Sequence, residues 1–218
     1  MTATFDDSQA PPFDEQPTGD KPASPLLPIL LGLSIALTLV LSGCSSTSLP
    51  KAATHPAVGR SLELETVPAL LHVEGDLQPS DYADKVTLVH YWGTWCVPCL
   101  REYPEIVGLY RSQQDNPDFK LVSVSCSRGP DSIEEIRATT AEYYQQANAE
   151  IPTYADATGD TFVPIVKTLD ERAMVFPTTI VLDRTGTIRG VWRGYSQLGV
   201  SEMSDMVNAL LAESPAAG

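Results

Sequence analysis

The chain has 218 residues, with 28 Asp and Glu against 14 Lys and Arg, a formal net charge of −14 and 43% hydrophobic residues. That acidic balance excludes a nucleic-acid partner, because phosphate binding needs clustered Lys and Arg. The first sixty residues do not read as part of a fold, and the remainder is one domain of about 150 residues with room for a core.

Residues 1–25 are rich in Pro, Asp, Ser and Thr and read as a disordered acidic leader. Asp6, Asp7, Asp14, Glu15 and Asp20 stand there against Lys21; without them 23 acids and 13 bases remain, a charge of −10 that serves solubility. Residues 26–44 form a signal or anchor segment. Its apolar run is shorter than the roughly twenty residues of a comfortable membrane span, and it suits a signal-peptide core or a short anchor. The segment ends in Leu41-Ser42-Gly43-Cys44, which matches the bacterial lipobox, so lipidation at Cys44 is expected. The competing reading is an uncleaved anchor helix. Against lipidation, the leader is long and acidic where a secretory one is short and positive. Lys51 and Arg60, after the segment against Lys21 before it, bias the wrong way for an exported C-terminus, so a soluble or inverted protein is the third reading. The lipoprotein and the uncleaved-anchor readings both place the domain on the extracytoplasmic side. Residues 45–61, with Pro50, Pro56 and Gly59, read as a flexible tether.

The domain is expected over 62–213, with 214–218 as a tail. A small hairpin is predicted from 69–73 and the segment after Gly75-Asp76, then a short helical turn at 79–84. Residues 86–92 are a β-branched and aromatic run that reads as a buried strand, followed after Cys99 by a helix carrying Glu102, Ile106 and Tyr110. A second strand over 119–125, parallel to the first, leads to Ser132-x-x-Glu135, a capping-box pattern opening a helix to about Asn148. A short strand over 151–154 and a short helix over 161–169 come next. Strands at 178–182 and 188–192 flank the hairpin turn Asp183-Arg184-Thr185-Gly186, and a last helix spans 201–211. The order gives an α/β architecture, a mixed central sheet with helices on both faces.

The chemistry lies where the first strand hands over to its helix, at Trp95-Cys96-Val97-Pro98-Cys99. A sulfur at a helix N-terminus is favoured as thiolate by free N–H groups and the helix dipole. Cys96 is therefore the exposed, attacking sulfur. Cys99, nearly one turn on, closes a small disulfide ring and resolves the mixed disulfide. Zinc would need a second ligand pair, and Cys44, Cys126, His55, His72 and His90 lack ligand spacing, so no metal is expected.

The longer pattern Cys96-x-x-Cys99-x-x-Glu102-x-Pro104, with Val175-Phe176-Pro177-Thr178-Thr179 about eighty residues on, resembles the membrane-anchored TlpA/ResA-like branch of thioredoxin-fold thiol–disulfide oxidoreductases. The resemblance covers roughly 62–211. It implies a thioredoxin fold with an N-terminal hairpin extension, and no cofactor beyond the redox-active Cys96–Cys99 disulfide. Pro177 is expected in cis, facing the cysteines, with Phe176 and Thr178 toward substrate and Trp95 shielding the disulfide. Glu102 is expected to accept the Cys99 proton or tune the thiols. At the position where many thioredoxins carry a buried Asp, this chain has His90, read equally as a proton relay or as a hydrogen-bonded strand residue. Cys126 reads as a small buried hydrophobe.

The resemblance further implies reduction of exported proteins, among them apocytochrome c before haem attachment, with electrons from a membrane-bound donor. Val97-Pro98 is closer to the reducing Gly-Pro type than to the oxidising Pro-His type. Two other functions compete. A peroxiredoxin-type peroxidase wants Thr-x-x-Cys, whereas Thr94 stands only two before Cys96. A non-redox binding module would leave the intact cysteine pair without purpose.

Overall fold

The computed structural model describes residues 51–129 and 131–214. The leader, the signal or anchor segment with Cys44, and residues 215–218 lie outside the described residues. Six strands are formed: β1 (Ala69–Leu71), β2 (Val86–Trp92), β3 (Phe119–Cys126), β4 (Thr153–Asp156), β5 (Thr178–Leu182) and β6 (Ile188–Arg193). Four helices join them: α1 (Val97–Gln113), α2 (Ile133–Ala147), α3 (Phe162–Thr168) and α4 (Gln197–Ala212). The sheet order is β1-β4-β3-β2-β5-β6, with β2, β3 and β4 parallel and β1, β5 and β6 joined by antiparallel pairings. This is the thioredoxin arrangement.

β2 is buried along its whole length because both its faces are covered. The period of two sorts its side chains. Val86, Leu88 and Trp92 enter the core shared with α1 and α4, while Val89 and Tyr91 enter the opposite core, which includes Ile165 of α3. The end of β2, and with it the start of α1, is thereby fixed from both sides.

Local chemistry sets the helix ends. Ser132 Oγ accepts from Glu135 N–H at 3.2 Å and Glu135 Oε2 from Ser132 N–H at 2.7 Å, so the expected capping box opens α2. α4 starts at Gln197, ahead of the expected 201, because Ser196 Oγ accepts from Gly199 N–H at 3.0 Å. At its other end Arg184, from the β5–β6 turn, donates to the carbonyls of Leu210 and Glu213 at 2.8 and 3.1 Å. Pro104 sits inside α1 and supplies no N–H for the Leu100 carbonyl four residues back. Tyr143 of α2 fills the gap, its hydroxyl donating to Leu100 O at 3.3 Å.

Two expectations are modified. The N-terminal hairpin is reduced to a single antiparallel bridge, Val67 opposite Leu77, and Ala69–Leu71 instead joins the main sheet beside β4. The tether is packed from Lys51 onward. Lys51–Thr54 form a 3-10 turn, Ala52 and Ala57 are buried, and residues 59–62 run antiparallel to β6. There Gly59 N–H donates to Ile188 O and Ile188 N–H to Arg60 O, both at 2.9 Å. Small alanine side chains let this strap lie close to the sheet, although its composition reads as linker. Among the described residues, no helix is long and apolar enough to cross a membrane.

Candidate active site

The site begins at Gly93, directly after β2. A Cβ there would stand 2.5 Å from Trp95 Nε1 and 2.8 Å from the Cys126 carbonyl oxygen. The bare backbone allows Trp95 to turn back and donate from Nε1 to Cys126 O at 2.9 Å. The chain then tightens, with Cys96 N–H donating to Gly93 O at 3.0 Å, and enters α1 with Cys96 as its N-cap.

Cys96 Sγ accepts from Cys99 N–H at 3.3 Å, and the two sulfurs are bonded to each other. The N-cap position gives a Cys96 thiolate the helix-terminal donors and dipole that lower a thiol pKa. Its exposure is smaller than the sequence led us to expect. Cys96 is 5% exposed and Cys99 is fully buried, and both belong to the core shared with α1 and α4. The accessible surface beside the disulfide belongs instead to Trp95 and Val97, 37% and 58% exposed.

The Phe176–Pro177 bond is cis, and Gly194 N–H donates to Pro177 O at 2.7 Å. The Phe176 ring packs edge-on against Trp95, centroids 5.1 Å apart, and against Phe162 of α3 at 5.9 Å. This joins the Pro177 loop to the cysteine turn and to α3. Thr178 is buried and its hydroxyl donates to Val175 O at 2.5 Å, so its side chain braces the loop rather than facing outward.

Behind the cysteines lie His90 and Glu102, both almost wholly buried. His90 Nδ1 is 3.0 Å from Thr179 Oγ1 and 3.7 Å from Glu102 Oε2. His90 Nε2 and Glu102 Oε2 have no hydrogen-bond partner among the described residues. Burial governs both groups and drives each toward its neutral form. It pushes the imidazole down to about 3 and the carboxyl up to about 8, the latter helped by the charge of Glu105. At neutral pH the pair is an acid facing a neutral imidazole, not a salt bridge.

Cys126 is buried at the end of β3, and burial raises its pKa well above the ordinary thiol value, followed by the charge of Asp156. It stays a thiol, and its contribution to the site is the carbonyl that receives Trp95. Sequence reasoning missed that contact, together with Gly93 and Thr179. Gly93 had a readable signal, a glycine set between Trp92 and Trp95. Among the described residues no group of three or more His, Cys, Asp or Glu could hold a metal ion.

Comparison with known proteins agrees with this geometry. The model of the AhpC/TSA family matches residues 63–191. Thioredoxin-like protein YneN of Bacillus subtilis is 28% identical over 114 residues, 52% of this chain and 59% of its own length. Thiol-disulfide oxidoreductase ResA of Geobacillus kaustophilus is 28% identical over 120 residues, 53% of this chain and 58% of its own. The chain therefore spans a little under three-fifths of the length of these relatives. Among solved structures, a thiol:disulfide interchange protein DsbE from Chlorobium tepidum superposes with a TM-score of 0.58 at 19% identity, covering 71% of this chain and 98% of its own. At that identity the likeness speaks for the fold.

Proposed function

We propose, from the premise that the chain belongs to the AhpC/TSA family, that it is a TlpA/ResA-like thiol–disulfide oxidoreductase reducing disulfides of exported proteins. The observation that carries this reading is the Cys96–Cys99 disulfide with Cys96 at the N-cap of α1 and Cys99 buried behind it. The cysteine pair itself is the redox carrier.

In the reduced protein the Cys96 thiolate attacks a substrate disulfide, and the departing substrate sulfur leaves as a thiolate. Cys99 then loses its proton and attacks Cys96, which closes the Cys96–Cys99 bond and releases the second substrate sulfur. Two electrons have passed from the pair to the substrate. Trp95 and Phe176 form the apolar surface that meets the substrate beside Pro177, and Thr178 braces that loop. Glu102 is the proton exchanger for Cys99. With its pKa near 8 it is the acid that reprotonates Cys99 when a donor reopens the disulfide, and about a tenth is carboxylate at pH 7 to accept the Cys99 proton. His90, held neutral, faces that acid and accommodates its ionisation without adding a charge of its own.

Tethering through a lipidated Cys44 or an uncleaved segment 26–44, after a disordered leader 1–25, would hold the domain on the extracytoplasmic side. A membrane-bound electron donor and apocytochrome c are the partners this reading names. Redox equilibrium with glutathione tests the direction. A potential near the thioredoxin value of about −270 mV supports a reductase, and one near about −120 mV overturns it. Mass spectrometry of the membrane-extracted protein tests the anchor, since a mature N-terminus at Met1 or Thr2 rules out lipidation. Mixed disulfides captured by a Cys99→Ser variant identify the partners.

A further inference from the structure

Glu171 ties three separate segments together. Its Oε1 accepts from Arg193 Nη1 at the end of β6 at 2.8 Å, and from His55 Nε2 in the N-terminal strap at 3.3 Å. The other ring nitrogen of His55, Nδ1, accepts the Ala57 backbone N–H at 3.1 Å. That bond fixes the tautomer: the neutral ring carries its proton on Nε2, aimed at Glu171. The His55 and Glu171 side chains are only 12% and 21% exposed, so water competes less for them than at an open surface pair. Glu171 N–H also donates to Val166 O at 3.0 Å, which fastens it to α3.

Beyond Glu171 the chain loses such support. Residues 172–176 make no backbone–backbone hydrogen bond among the described residues. The next fixed points are Pro177, whose carbonyl receives Gly194, and Thr178, paired with Tyr91 and Arg193. The loop that presents Val175 and Phe176 is thus pinned at its two ends, with Met174 and Phe176 packing against the core between them. Glu171 is the first of those pins.

We propose that Glu171 is a positioning residue for the Val175–Phe176–Pro177 loop, and that His55 extends its hold to the strap, so that the seating of residues 51–62 sets how the loop meets a protein substrate. What the loop meets rests on the oxidoreductase reading; the mechanical coupling does not. The chemistry at Cys96 does not run through Glu171, so the redox potential is independent of it.

The test compares the full chain with Glu171→Ala, Glu171→Gln and His55→Ala variants by amide hydrogen exchange. Glu171→Ala should speed exchange of the two amides that close the ends of the loop, that of residue 171 on Val166 O and that of Gly194 on Pro177 O, by about tenfold or more while β2 and α1 keep their protection. Glu171→Gln, which still accepts from Arg193 and His55, should restore most of it, and His55→Ala should fall between. With insulin as the disulfide substrate, Glu171→Ala should raise KM about fivefold with kcat within about twofold, at an unchanged potential against glutathione. Unaltered exchange at those two amides, or a rise spread evenly over the whole domain, overturns the proposal whatever the activity. A wild-type chain unable to reduce insulin would instead count against the oxidoreductase reading, and the exchange data would still decide the coupling.

Discussion

His90 Nδ1 lies 3.7 Å from Glu102 Oε2 in the interior behind the cysteine pair, and burial outweighs pairing for both residues. A carboxyl and an imidazole at this distance in water would form an ion pair. Here the loss of hydration costs more than their attraction returns, and both are driven to neutrality.

The consequence for stability has opposite signs for the two groups. Glu102, raised from 4.5 to about 8, makes the folded chain hold a proton that the unfolded chain releases, so its contribution is lost as pH rises across that window. His90, lowered from 6.5 to about 3, makes the unfolded chain bind a proton that the folded chain refuses, so its contribution is lost as pH falls from 6.5 toward 3. The two slopes cancel between 4.5 and 6.5. For Glu102→Gln, denaturant titrations at pH 6.5 and 8 should differ less than in the wild type, where the slope approaches about 1.4 kcal/mol per pH unit. His90→Asn should instead gain stability steadily as pH falls from 8 to 5. Identical pH profiles for the wild type and both variants would show that neither group is held in its neutral form.

Thiol chemistry offers a separate reading of Glu102. The rate at which reduced protein resolves a mixed disulfide through Cys99 should bend near pH 8 in the wild type and lose that bend in Glu102→Gln. Stopped-flow measurement between pH 6 and 9 checks this, and an unchanged profile removes Glu102 from the proton path.

Alkylation of the reduced protein should discriminate the two active-site sulfurs. Cys96, at the N-cap, should react with iodoacetamide near pH 7 about tenfold or more faster than Cys99 and Cys126, which are more deeply buried and lack its helix-terminal donors. Mass spectrometry of quenched samples gives the order directly.

Gly93→Ala places a methyl against Trp95 Nε1 and the Cys126 carbonyl. Trp95 has to leave that carbonyl, with a cost of about 1–3 kcal/mol in stability. Trp95 emission should move to the red, and turnover of a protein disulfide should drop more than the rate with a small disulfide reagent.

Asp156 is a buried carboxylate whose oxygens accept from Gly159 N–H at 2.6 Å, Thr161 N–H at 3.1 Å and Phe162 N–H at 3.1 Å. It fastens the start of α3, the helix whose Phe162 packs on Phe176. Asp156→Ala should cost about 2–3 kcal/mol by leaving those donors short of a partner, measured by urea unfolding.

Much of the site was legible because its determinants are local. The β-branched run ending at Trp92, the Cys96–Cys99 spacing and the Ser132–Glu135 box each state their structure within a few residues, whereas the cis bond at Pro177 was legible only through the family resemblance. The hidden parts depend on partners distant in sequence. Ala69–Leu71 pairs with a strand more than eighty residues away, and nothing in three residues names that partner. Asp156 looks like a loop acid until the turn wraps round it. The exposure of Cys96 was overestimated because helix position governs its electrostatics, whereas the core it packs into governs its access.

The strap has one more consequence, for how this chain can be shortened. Gly59 and Arg60 occupy the backbone groups of Ile188 that β6 would otherwise present to solvent. A protein trimmed to begin at Leu62 would keep every cysteine of the described domain and still bare the outer rim of its sheet. It would invite strand-to-strand aggregation at a place where the full chain supplies its own cover.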